Sequence, residues 1–208
     1  MRLRNVKNAK EIVESSKYVI NNPEEYKSKF KSIFKNDNNI HLEIGTGKGN
    51  FLIGMAKKYP NINFIGIEKY ESVLVRAIEK IEIENLENIR FIRYDATYIN
   101  NLFNKEIDTL YLNFSDPWPK ARHAKRRLTS PYFLNLYDNI FSSSCKIIQK
   151  TDNINLFAYS LETLSNHGYV FERVSLDLHS EDIENIETEY ETRFASQGTK
   201  INYLVAKK

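Results

Sequence analysis

Three glycines at alternate positions follow an acidic residue in the stretch Glu43-Ile-Gly45-Thr-Gly47-Lys-Gly49. Alternating glycines allow backbone dihedrals that other residues avoid, and they let a ligand approach the backbone closely. The spacing differs from the Gly-x-Gly-x-x-Gly pattern that places a diphosphate at a helix N-terminus. The negative charge of Glu43 would oppose a diphosphate, whereas it suits a ligand that carries an ammonium group.

Two further acids stand at the ends of the next two predicted strands. Glu68 is placed to accept hydrogen bonds from both hydroxyls of a ribose, and Asp95 is placed to meet an adenine amino group. Acids at three successive strand ends favour a cationic nucleoside without phosphates over NAD or ATP. A purely structural interpretation also stands for each motif: the glycines could form only a tight turn, Glu68 could be a solvated charge, and Asp95 could cap a helix.

The single tryptophan lies between two prolines in the segment Asp116-Pro-Trp118-Pro-Lys120. The prolines predict a stiff, non-helical loop that holds Asp116 at the edge of the sheet. A basic run follows at once, formed by Arg122, His123, Lys125, Arg126 and Arg127. An aromatic ring can stack on a base and cations can neutralise phosphates, so the combination is typical of a nucleic-acid site. The alternative is that Trp118 fills the core and that the basic run is a solvated helix turn.

Short apolar runs alternate with amphipathic stretches from residue 39 onwards. Strands are predicted over residues 40–44, 63–67, 89–93, 109–113 and 146–149, and helices over residues 50–59, 72–84, 131–141 and 155–167. This alternation indicates a parallel sheet with helices on both faces. Ligands bind at the carboxyl ends of the strands in such sheets. The motifs described above all follow predicted strands, so we expect them to meet at one edge of the sheet.

The two ends of the chain depart from this pattern. Residues 1–37 are predicted to form a helical extension, with a helix that begins at Asn22-Pro23 and carries Tyr26, Phe30, Ile33 and Phe34 on one face. Residues 169–178 and 201–206 are predicted to form an antiparallel hairpin that closes the sheet. We therefore divide the chain into an extension over residues 1–37 and a single domain over residues 38–208.

Charge is distributed unevenly over a chain of 208 residues whose formal net charge is only +3. Basic residues concentrate in residues 120–127 and in the head of the chain, at Arg2, Arg4, Lys7 and Lys10, whereas residues 177–191 are acidic and contain no lysine or arginine. Such islands suggest a polyanion site beside a region with another task.

Composition also excludes several classes of protein. Apolar runs are too short for a membrane helix, and the start of the chain predicts no secretory signal. The single cysteine, Cys145, excludes an internal disulfide and a cysteine-based zinc site. We expect a cytoplasmic protein, a monomer or a homodimer, with no metal and no membrane partner.

Taken together, the motifs resemble the bacterial tRNA (guanine-N7)-methyltransferase family. The resemblance rests on the glycine-rich segment and on the segment from Phe114 to Leu128, and it continues in Lys150-Thr-Asp-Asn153 and in Thr188-Glu-Tyr-Glu191 followed by Arg-Phe. It extends from about residue 40 to about residue 195, and the first 37 residues match only loosely. One departure is local: residues 142–145 read Ser-Ser-Ser-Cys where a glycine-rich turn before the fifth strand is expected.

The resemblance implies a Rossmann-like class I methyltransferase fold, an α/β architecture with a seven-stranded, mostly parallel sheet and helices on both faces. It implies S-adenosyl-L-methionine as the methyl donor and N7 of guanine 46, in the variable loop of tRNA, as the target. The residues expected to contact the cofactor are Glu43, Gly45, Gly47, Gly49, Glu68, Asp95 and Asp116. Asp116 is also the expected catalytic residue.

The resemblance further implies two sets of residues for the RNA. The residues expected to contact the substrate are Lys120, Asp152, Thr188, Glu189, Tyr190 and Glu191, and those expected to bind RNA are Arg122, His123, Lys125, Arg126 and Arg127. A structural interpretation remains open for two of these: Asp152 could cap the following helix, and Thr188 with Glu191 could form a capping box.

Three other functions are compatible with parts of the pattern. Loops of the type Asn/Asp-Pro-Pro-aromatic serve the methylation of exocyclic amines, but here the aromatic precedes the second proline. A non-catalytic RNA-binding scaffold would not need Glu43, the three glycines and Asp116 intact. A nicotinamide oxidoreductase would leave the basic loop unexplained.

Overall fold

The computed structural model describes residues 6–208, so that Arg2 and Arg4 of the basic head lie outside the described residues. Within this range the strands are β1 (Ile40–Ile44), β2 (Asn63–Glu68), β3 (Ile89–Arg93), β4 (Ile107–Asn113), β5 (Phe141–Thr151), β6 (Val170–Ser175) and β7 (Asn202–Lys207). They form one sheet in the order β3-β2-β1-β4-β5-β7-β6. β7 is antiparallel to β5 and β6, and the other neighbours are parallel. The predicted seven-stranded sheet with its terminal hairpin is confirmed.

Helices cover both faces of this sheet. They are α1 (Ala9–Ser15), α2 (Lys31–Phe34), α3 (Asn50–Lys58), α4 (Glu71–Glu84), α5 (Pro131–Ile140), α6 (Ile154–Asn166) and α7 (Glu189–Ala195). Side chains from α3 and α4 pack with Phe64, Phe91 and Tyr111 in one core cluster. Side chains from α5 and α6 pack with Ile65 and Leu110, among others, in a second cluster. Successive residues of a strand point to opposite faces, so the two clusters lie on opposite sides of the sheet.

The order of the strands reverses beside β1. The chain continues from β1 to β2 and β3 on one side, and then returns to place β4 on the other side of β1. The carboxyl ends of β1 and β4 are therefore neighbours, with Glu43 opposite Tyr111 in the register. The glycine-rich turn follows β1 and the Asp-Pro-Trp-Pro loop follows β4, so this switch in strand order brings the two motifs together.

The extension differs from the helix predicted after Asn22. A 3₁₀ turn, Pro23–Tyr26, and the separate short helix α2 form there, and Ser28 between them adopts a left-handed φ of 65°. The Glu106 carboxylate explains the break, because it accepts hydrogen bonds from the backbone amides of Ser28 and Phe30, each at 2.8 Å. A continuous helix would have directed these amides to its own carbonyls.

The extension instead protects the β3 edge of the sheet. The Phe91 amide donates to the Tyr18 carbonyl at 2.7 Å, and the Ile20 amide donates to the Phe91 carbonyl at 2.9 Å. α1 packs against α4 beside this edge. An exposed strand edge is a template for unwanted pairing, and this contact covers it.

Strand β5 begins earlier than predicted and contains the Ser-Ser-Ser-Cys segment. Ile107 pairs with Phe141 but Thr109 pairs with Lys146, so residues 142–145 bulge opposite the single residue Asp108. The Ser142 hydroxyl donates to the Asp108 carboxylate at 2.7 Å and fastens the bulge. The expected separate turn before the strand is therefore wrong, since the extra residues are accommodated as a bulge inside the strand.

Candidate active site

The glycine-rich turn has the unusual backbone that its sequence predicts. Gly45, Gly47 and Gly49 have φ values of 79°, 58° and 79°, in the left-handed region that favours glycine. A side chain on Gly49 would place its Cβ 2.8 Å from the Cβ of Ala77 in α4, so the close packing of α3 on α4 also requires glycine there. At Gly45 a Cβ would meet no atom within 4 Å, so the turn leaves its backbone open to a ligand at this point.

Two cavities meet at Gly45. The basic-side cavity, of about 720 Å³, lies at the ends of β1 to β3 and is lined by Glu68, Lys69, Asp95, Trp118, Lys125, Arg126 and neighbouring residues. The α7-side cavity, of about 810 Å³, is lined by Glu43, Gly47, Asn113, Phe114, Thr188, Glu189, Tyr190, Phe194 and neighbouring residues. Both volumes fall in the range of ligand sites. An elongated ligand that crosses Gly45 would occupy both.

Glu43 is the buried acid of the α7-side cavity. It is 2% exposed, and its two carboxylate oxygens accept hydrogen bonds from the Thr46 hydroxyl at 2.7 Å and the Asn113 amide at 2.8 Å. Burial raises the pKa of Glu43 to about 7, although these two hydrogen bonds oppose the change. A carboxyl group in this state gains its charge near neutral pH, where a bound cation would favour the ionised form.

Glu68 occupies the corresponding position in the basic-side cavity. Its two oxygens accept hydrogen bonds from the backbone amides of Tyr70 at 3.0 Å and Gly47 at 3.1 Å. Burial raises the pKa of Glu68, and the hydrogen bonds from these amides act in the opposite direction. A carboxylate offers about four acceptor positions, so both oxygens retain capacity for hydroxyl donors. Glu68 is therefore a fixed, buried group and the interpretation as a solvated charge is wrong.

Asp95 is a helix cap and a wall of the basic-side cavity at once. One of its oxygens accepts from the Thr97 amide at 3.0 Å and from the Thr97 hydroxyl at 2.7 Å, and the other accepts from the Lys69 ammonium at 2.7 Å. Burial raises the pKa of Asp95, but the hydrogen bonds from Lys69 and Thr97 outweigh it and the pKa falls to about 2. The capping interpretation is confirmed, and the contact with adenine stays a prediction.

The loop after β4 is held in a strained conformation. Phe114 and Trp118 have left-handed φ values of 50° and 41°, which cost about 1–3 kcal/mol each for residues with a side chain. The Arg127 guanidinium donates to the carbonyls of Pro117 and Trp118, both at 3.1 Å, and lies 4.3 Å from the ring centre of Tyr159. Arg127 was expected to bind RNA, but in this structure it is half-buried and braces the loop.

Trp118 and the basic run form a shared surface. Trp118 is half-buried and lines the basic-side cavity, so the interpretation that it fills the core is wrong. The Arg126 guanidinium lies 4.9 Å from the centre of the Trp118 ring, and His123 packs edge-on against it at 5.8 Å. The exposed cations Arg122 and Lys125 belong to the same 3₁₀ helix, Ala121–Arg126.

Asp116 and Lys120 are exposed on the loop itself. Neither residue lines the basic-side cavity or the α7-side cavity. The structure therefore places the expected catalytic acid on an exposed part of the loop after β4, and its catalytic role stays a prediction.

A buried ion pair anchors the segment that precedes α7. The Lys150 ammonium lies 2.6 Å from the Glu191 carboxylate, and the two side chains are 3% and 0% exposed. Burial lowers the pKa of Lys150, and the charge of Glu191 opposes this change. Glu191 also accepts hydrogen bonds from Asn185 at 2.6 Å and, as the third residue of a capping box, from the Thr188 amide at 3.3 Å.

The capping-box interpretation of Thr188 and Glu191 is thus confirmed. Glu191 has no exposed surface, and its oxygens are occupied by protein donors. The expectation that Glu191 contacts the substrate directly is not met in this arrangement, because the carboxylate is closed off beneath α7. Its partner Lys150, a residue to which the sequence analysis assigned no role, holds it there.

The exposed side of α7 carries an aromatic wall. Tyr190 stacks on Phe194, with ring centres 4.2 Å apart, and lies 4.9 Å from the ring of Phe114. The Tyr190 hydroxyl donates to the Asp152 carboxylate at 2.9 Å.

Asp152 does not cap α6, since Asn153 accepts the capping hydrogen bond from the Leu156 amide. Glu189 forms an ion pair with Lys80 of α4. Tyr190 lines the α7-side cavity and binds Asp152, and the contact of both residues with the substrate stays a prediction.

Comparison with known proteins decides the family. A family model described as "Putative methyltransferase" matches residues 37–204. A protein of Lachnoclostridium phytofermentans named tRNA (guanine-N(7)-)-methyltransferase is 51% identical, over 99% of this chain and 98% of its own. Proteins with the same name from Geobacillus sp. and Bacillus subtilis are 52% and 46% identical, over 97% and 91% of this chain and 93% and 90% of their own.

The chain belongs to the tRNA (guanine-N(7)-)-methyltransferase family. Membership confirms the predicted fold class, the methyltransferase activity and S-adenosyl-L-methionine as the methyl donor. Solved structures agree on the fold: an antibiotic-related methyltransferase has a TM-score of 0.65 at 19% identity, over 87% of this chain and 92% of its own. The 16S rRNA methyltransferase KamB has a TM-score of 0.66 at 12% identity, over 86% and 92%.

The site fits such a methyl donor. S-adenosyl-L-methionine carries an ammonium group, ribose hydroxyls and an adenine amino group, which are all hydrogen-bond donors, and it carries no phosphate. The cavities present the carboxylates Glu43, Glu68 and Asp95 on either side of the open Gly45 backbone. Among residues 6–208 no group of three or more histidine, cysteine, aspartate or glutamate side chains is arranged to hold a metal ion. In the same part of the chain, no helix is both long and apolar enough to cross a membrane.

The raised pKa of Glu43 predicts a pH dependence of ligand affinity. We expect binding of S-adenosylhomocysteine to strengthen from about pH 6 to about pH 8, because Glu43 loses its proton near pH 7 and its negative charge would then attract the ammonium group of the ligand. Calorimetric titrations across this range test the prediction. Glu43→Gln should bind more weakly at pH 8 and should show a flat profile, and a flat profile in the wild-type protein would contradict the assignment.

The same group predicts the opposite trend for the stability of the free protein. The folded-state pKa of about 7 lies above the ordinary value of 4.5, so between these values the folded state binds more protons than the unfolded state. The contribution of Glu43 to stability is therefore full below pH 4.5 and is lost as the pH rises toward 7. Thermal melting should show Glu43→Gln more stable than the wild-type protein at pH 8, with the difference shrinking toward pH 5.

Proposed function

We propose that this protein transfers the methyl group of S-adenosyl-L-methionine to N7 of guanine 46 in the variable loop of tRNA. The names of the relatives support the tRNA substrate and the N7 atom. The observation on this chain that carries the proposal is the contact between an acid-lined cavity and a basic, tryptophan-bearing loop, because Trp118 and Arg126 line the same cavity as Glu68 and Asp95. A small-molecule methyltransferase would have no use for such a surface.

The donor of the methyl group would lie across Gly45. Its adenosine would then occupy the basic-side cavity, with Glu68 at the ribose and Asp95 at the adenine. Its amino-acid end would occupy the α7-side cavity, with Glu43 at the ammonium group. The Lys69–Asp95 ion pair lies at the adenine end, so the lysine has to leave one carboxylate oxygen or share it.

The chemistry asks little of the protein in terms of proton transfer. When bound, S-adenosyl-L-methionine would supply a methyl group on a positively charged sulfur, and that sulfur would keep both electrons of the broken C–S bond. Guanine N7 has an in-plane lone pair and no hydrogen, so it needs no general base. The residues must hold N7 in line and stabilise the positive charge that develops on the purine, and positioning of this kind can contribute about 7–11 kcal/mol in favourable cases.

We assign these tasks to residues around the loop after β4. Asp116 supplies a carboxylate for the developing charge or for the guanine edge, Lys120 and Asp152 contact the target nucleotide, and Tyr190 offers a ring for stacking. Glu189 and Thr188 place α7 at the cavity. Gly47 and Gly49 shape the turn, and Arg122, His123, Lys125 and Arg126 contact the RNA backbone, with Arg127 acting on the loop from behind.

The remaining parts of the proposal concern the whole protein. We assign it to the cytoplasm, as a monomer or a homodimer that binds tRNA and no membrane. We divide it into an extension over residues 1–37 and a methyltransferase domain over residues 38–208, which is supported by a family match that begins at residue 37.

Methylation of unmodified tRNA with methyl-labelled S-adenosyl-L-methionine tests this function directly. Label in tRNA, with chain cleavage in the variable loop after reduction specific for 7-methylguanosine, is the expected result. Label without cleavage would move the methyl to another atom, as in the methylation of exocyclic amines. Binding of tRNA without any label or cofactor binding would favour a non-catalytic scaffold.

Replacement of the loop carboxylate should separate turnover from binding. We expect Asp116→Ala to lower the single-turnover rate at least about 100-fold while tRNA affinity changes little, since one carboxylate is removed and no phosphate contact. Asp37→Ala, which removes an equally exposed acid elsewhere, is the matched control and should behave as wild type. Parallel loss of tRNA affinity in Asp116→Ala would count against the catalytic assignment.

Replacement of a basic side chain should alter the salt dependence of tRNA binding. Arg126→Ala removes one cation from the surface around Trp118, so affinity should fall for all tRNAs and the slope of log affinity against log salt should decrease by about 1. Arg173→Ala removes an exposed cation of β6, at the far edge of the sheet, as a control. Equal slopes for the two variants would place the RNA elsewhere.

A further inference from the structure

The last residue of β4 has a buried hydrogen-bond acceptor without a partner. Asn113 is 7% exposed, and its side-chain Nδ2 donates to the Glu43 carboxylate at 2.8 Å. Its Oδ1 accepts no hydrogen bond from any atom of residues 6–208. A buried polar atom left in this state destabilises the fold, and such atoms are rare in folded proteins.

The orientation of the Asn113 amide is fixed by its neighbour. With Glu43 ionised, the state that a bound cation favours, a turned-over amide would set Oδ1 against a Glu43 oxygen, and two acceptors would oppose each other. The amide nitrogen therefore faces Glu43, and the oxygen faces away from it. Asn113 and Glu43 both line the α7-side cavity, so an amide and a carboxylate lie side by side on its wall.

The lysine that is paired with Asn113 in the register of the sheet cannot supply the missing donor. Lys150 lies with Asn113 on the wall of a small cavity of about 220 Å³. Its ammonium group has three donors, and these are used by the Asn185 side chain at 3.0 Å, the Ile186 carbonyl at 2.9 Å and Glu191 at 2.6 Å. The acceptor of Asn113 is thus left for a ligand.

We propose that Asn113 is a second anchor for the ammonium group of the methyl donor, acting beside Glu43. An ammonium group has three donors and no acceptor, so it matches a site made of one carboxylate and one amide oxygen. Asn113 would accept one N–H from the ligand while its own N–H holds Glu43 in place. The inference rests on the proposed function, because it requires a donor with an amino-acid end in the α7-side cavity.

The alternative role for Asn113 is to orient Glu43 and nothing more. Thr46 provides the comparison, because its hydroxyl also orients Glu43, by donating to the other carboxylate oxygen at 2.7 Å. The proposal gives Thr46 no contact with the ammonium group of the ligand. Thr46→Val removes a hydrogen bond to Glu43 but leaves the Asn113 oxygen in place. Asn113→Ala removes both a hydrogen bond to Glu43 and the free acceptor.

Calorimetry with two ligands separates the roles. S-adenosylhomocysteine carries the ammonium group, and 5′-methylthioadenosine lacks the amino-acid end. We expect Asn113→Ala to weaken binding of S-adenosylhomocysteine about 10- to 100-fold, as for loss of a hydrogen bond to a charged group, and to leave 5′-methylthioadenosine within about twofold of wild type. Thr46→Val should weaken S-adenosylhomocysteine clearly less than Asn113→Ala does.

Equal losses in Asn113→Ala and Thr46→Val would overturn the inference, since orientation of Glu43 would then be sufficient. Equal losses for both ligands in Asn113→Ala would overturn it as well. If Asn113→Ala does not fold, Asn113→Asp keeps an acceptor in the same volume and should retain the preference for S-adenosylhomocysteine, and loss of that preference would contradict the proposal. A wild-type protein that binds neither ligand would refute the proposed function, whereas binding that is insensitive to Asn113 refutes this inference alone.

Discussion

The buried ion pair between Lys150 and Glu191 is the interaction on which the shape of the site depends. α7 has seven residues, too few to be stable as an isolated helix, so its position must come from tertiary contacts. The desolvation of two buried charges is compensated only where further hydrogen bonds satisfy them, and here Asn185, Ile186 and Thr188 do so. Loss of either partner of such a pair costs about 3–5 kcal/mol. α7 and the cavity wall that it carries are therefore tied to the centre of the sheet.

Ion pairs also account for several acidic residues of the segment 177–191. The uneven charge suggested a region with a task separate from the basic run, but three of its glutamates form ion pairs with lysines of the domain. Glu184 pairs with Lys58 of α3, Glu189 with Lys80 of α4 and Glu191 with Lys150 of β5. The two partly exposed pairs contribute little to stability, while the buried one fixes the segment. The acidic segment, residues 177–191, is thus bound to helices α3 and α4, which lie on the same face of the sheet.

Much of the fold could be predicted from the sequence because its determinants are local. Apolar periodicity placed α3 to α6 within one residue of their ends and gave β1 and β3 their observed bounds. The acids at strand ends were found for the same reason, since each stands next to its own strand.

The predictions that failed involve partners that are distant in the chain, which local patterns do not encode. Glu106 breaks the expected N-terminal helix at Ser28, and Lys150 is 41 residues away from Glu191. Arg127 has the same residue type as its neighbours in the basic run, so the sequence does not show that its side chain binds the loop at Pro117 and Trp118.

A single residue of β5, Lys150, connects α7 with the loop after β4. The side chain of Lys150 holds α7, and its backbone carbonyl accepts a hydrogen bond from the Phe114 amide at 2.8 Å, at the start of the strained loop. Arg127 holds the other part of that loop through Pro117 and Trp118. A conformation that needs left-handed backbone at two aromatic residues persists only when its surroundings enforce it, and here both ends are fixed. The exposed carboxylate of Asp116 therefore stands on a preorganised loop. The strand that positions the aromatic wall therefore also positions the loop that carries Asp116 and Trp118.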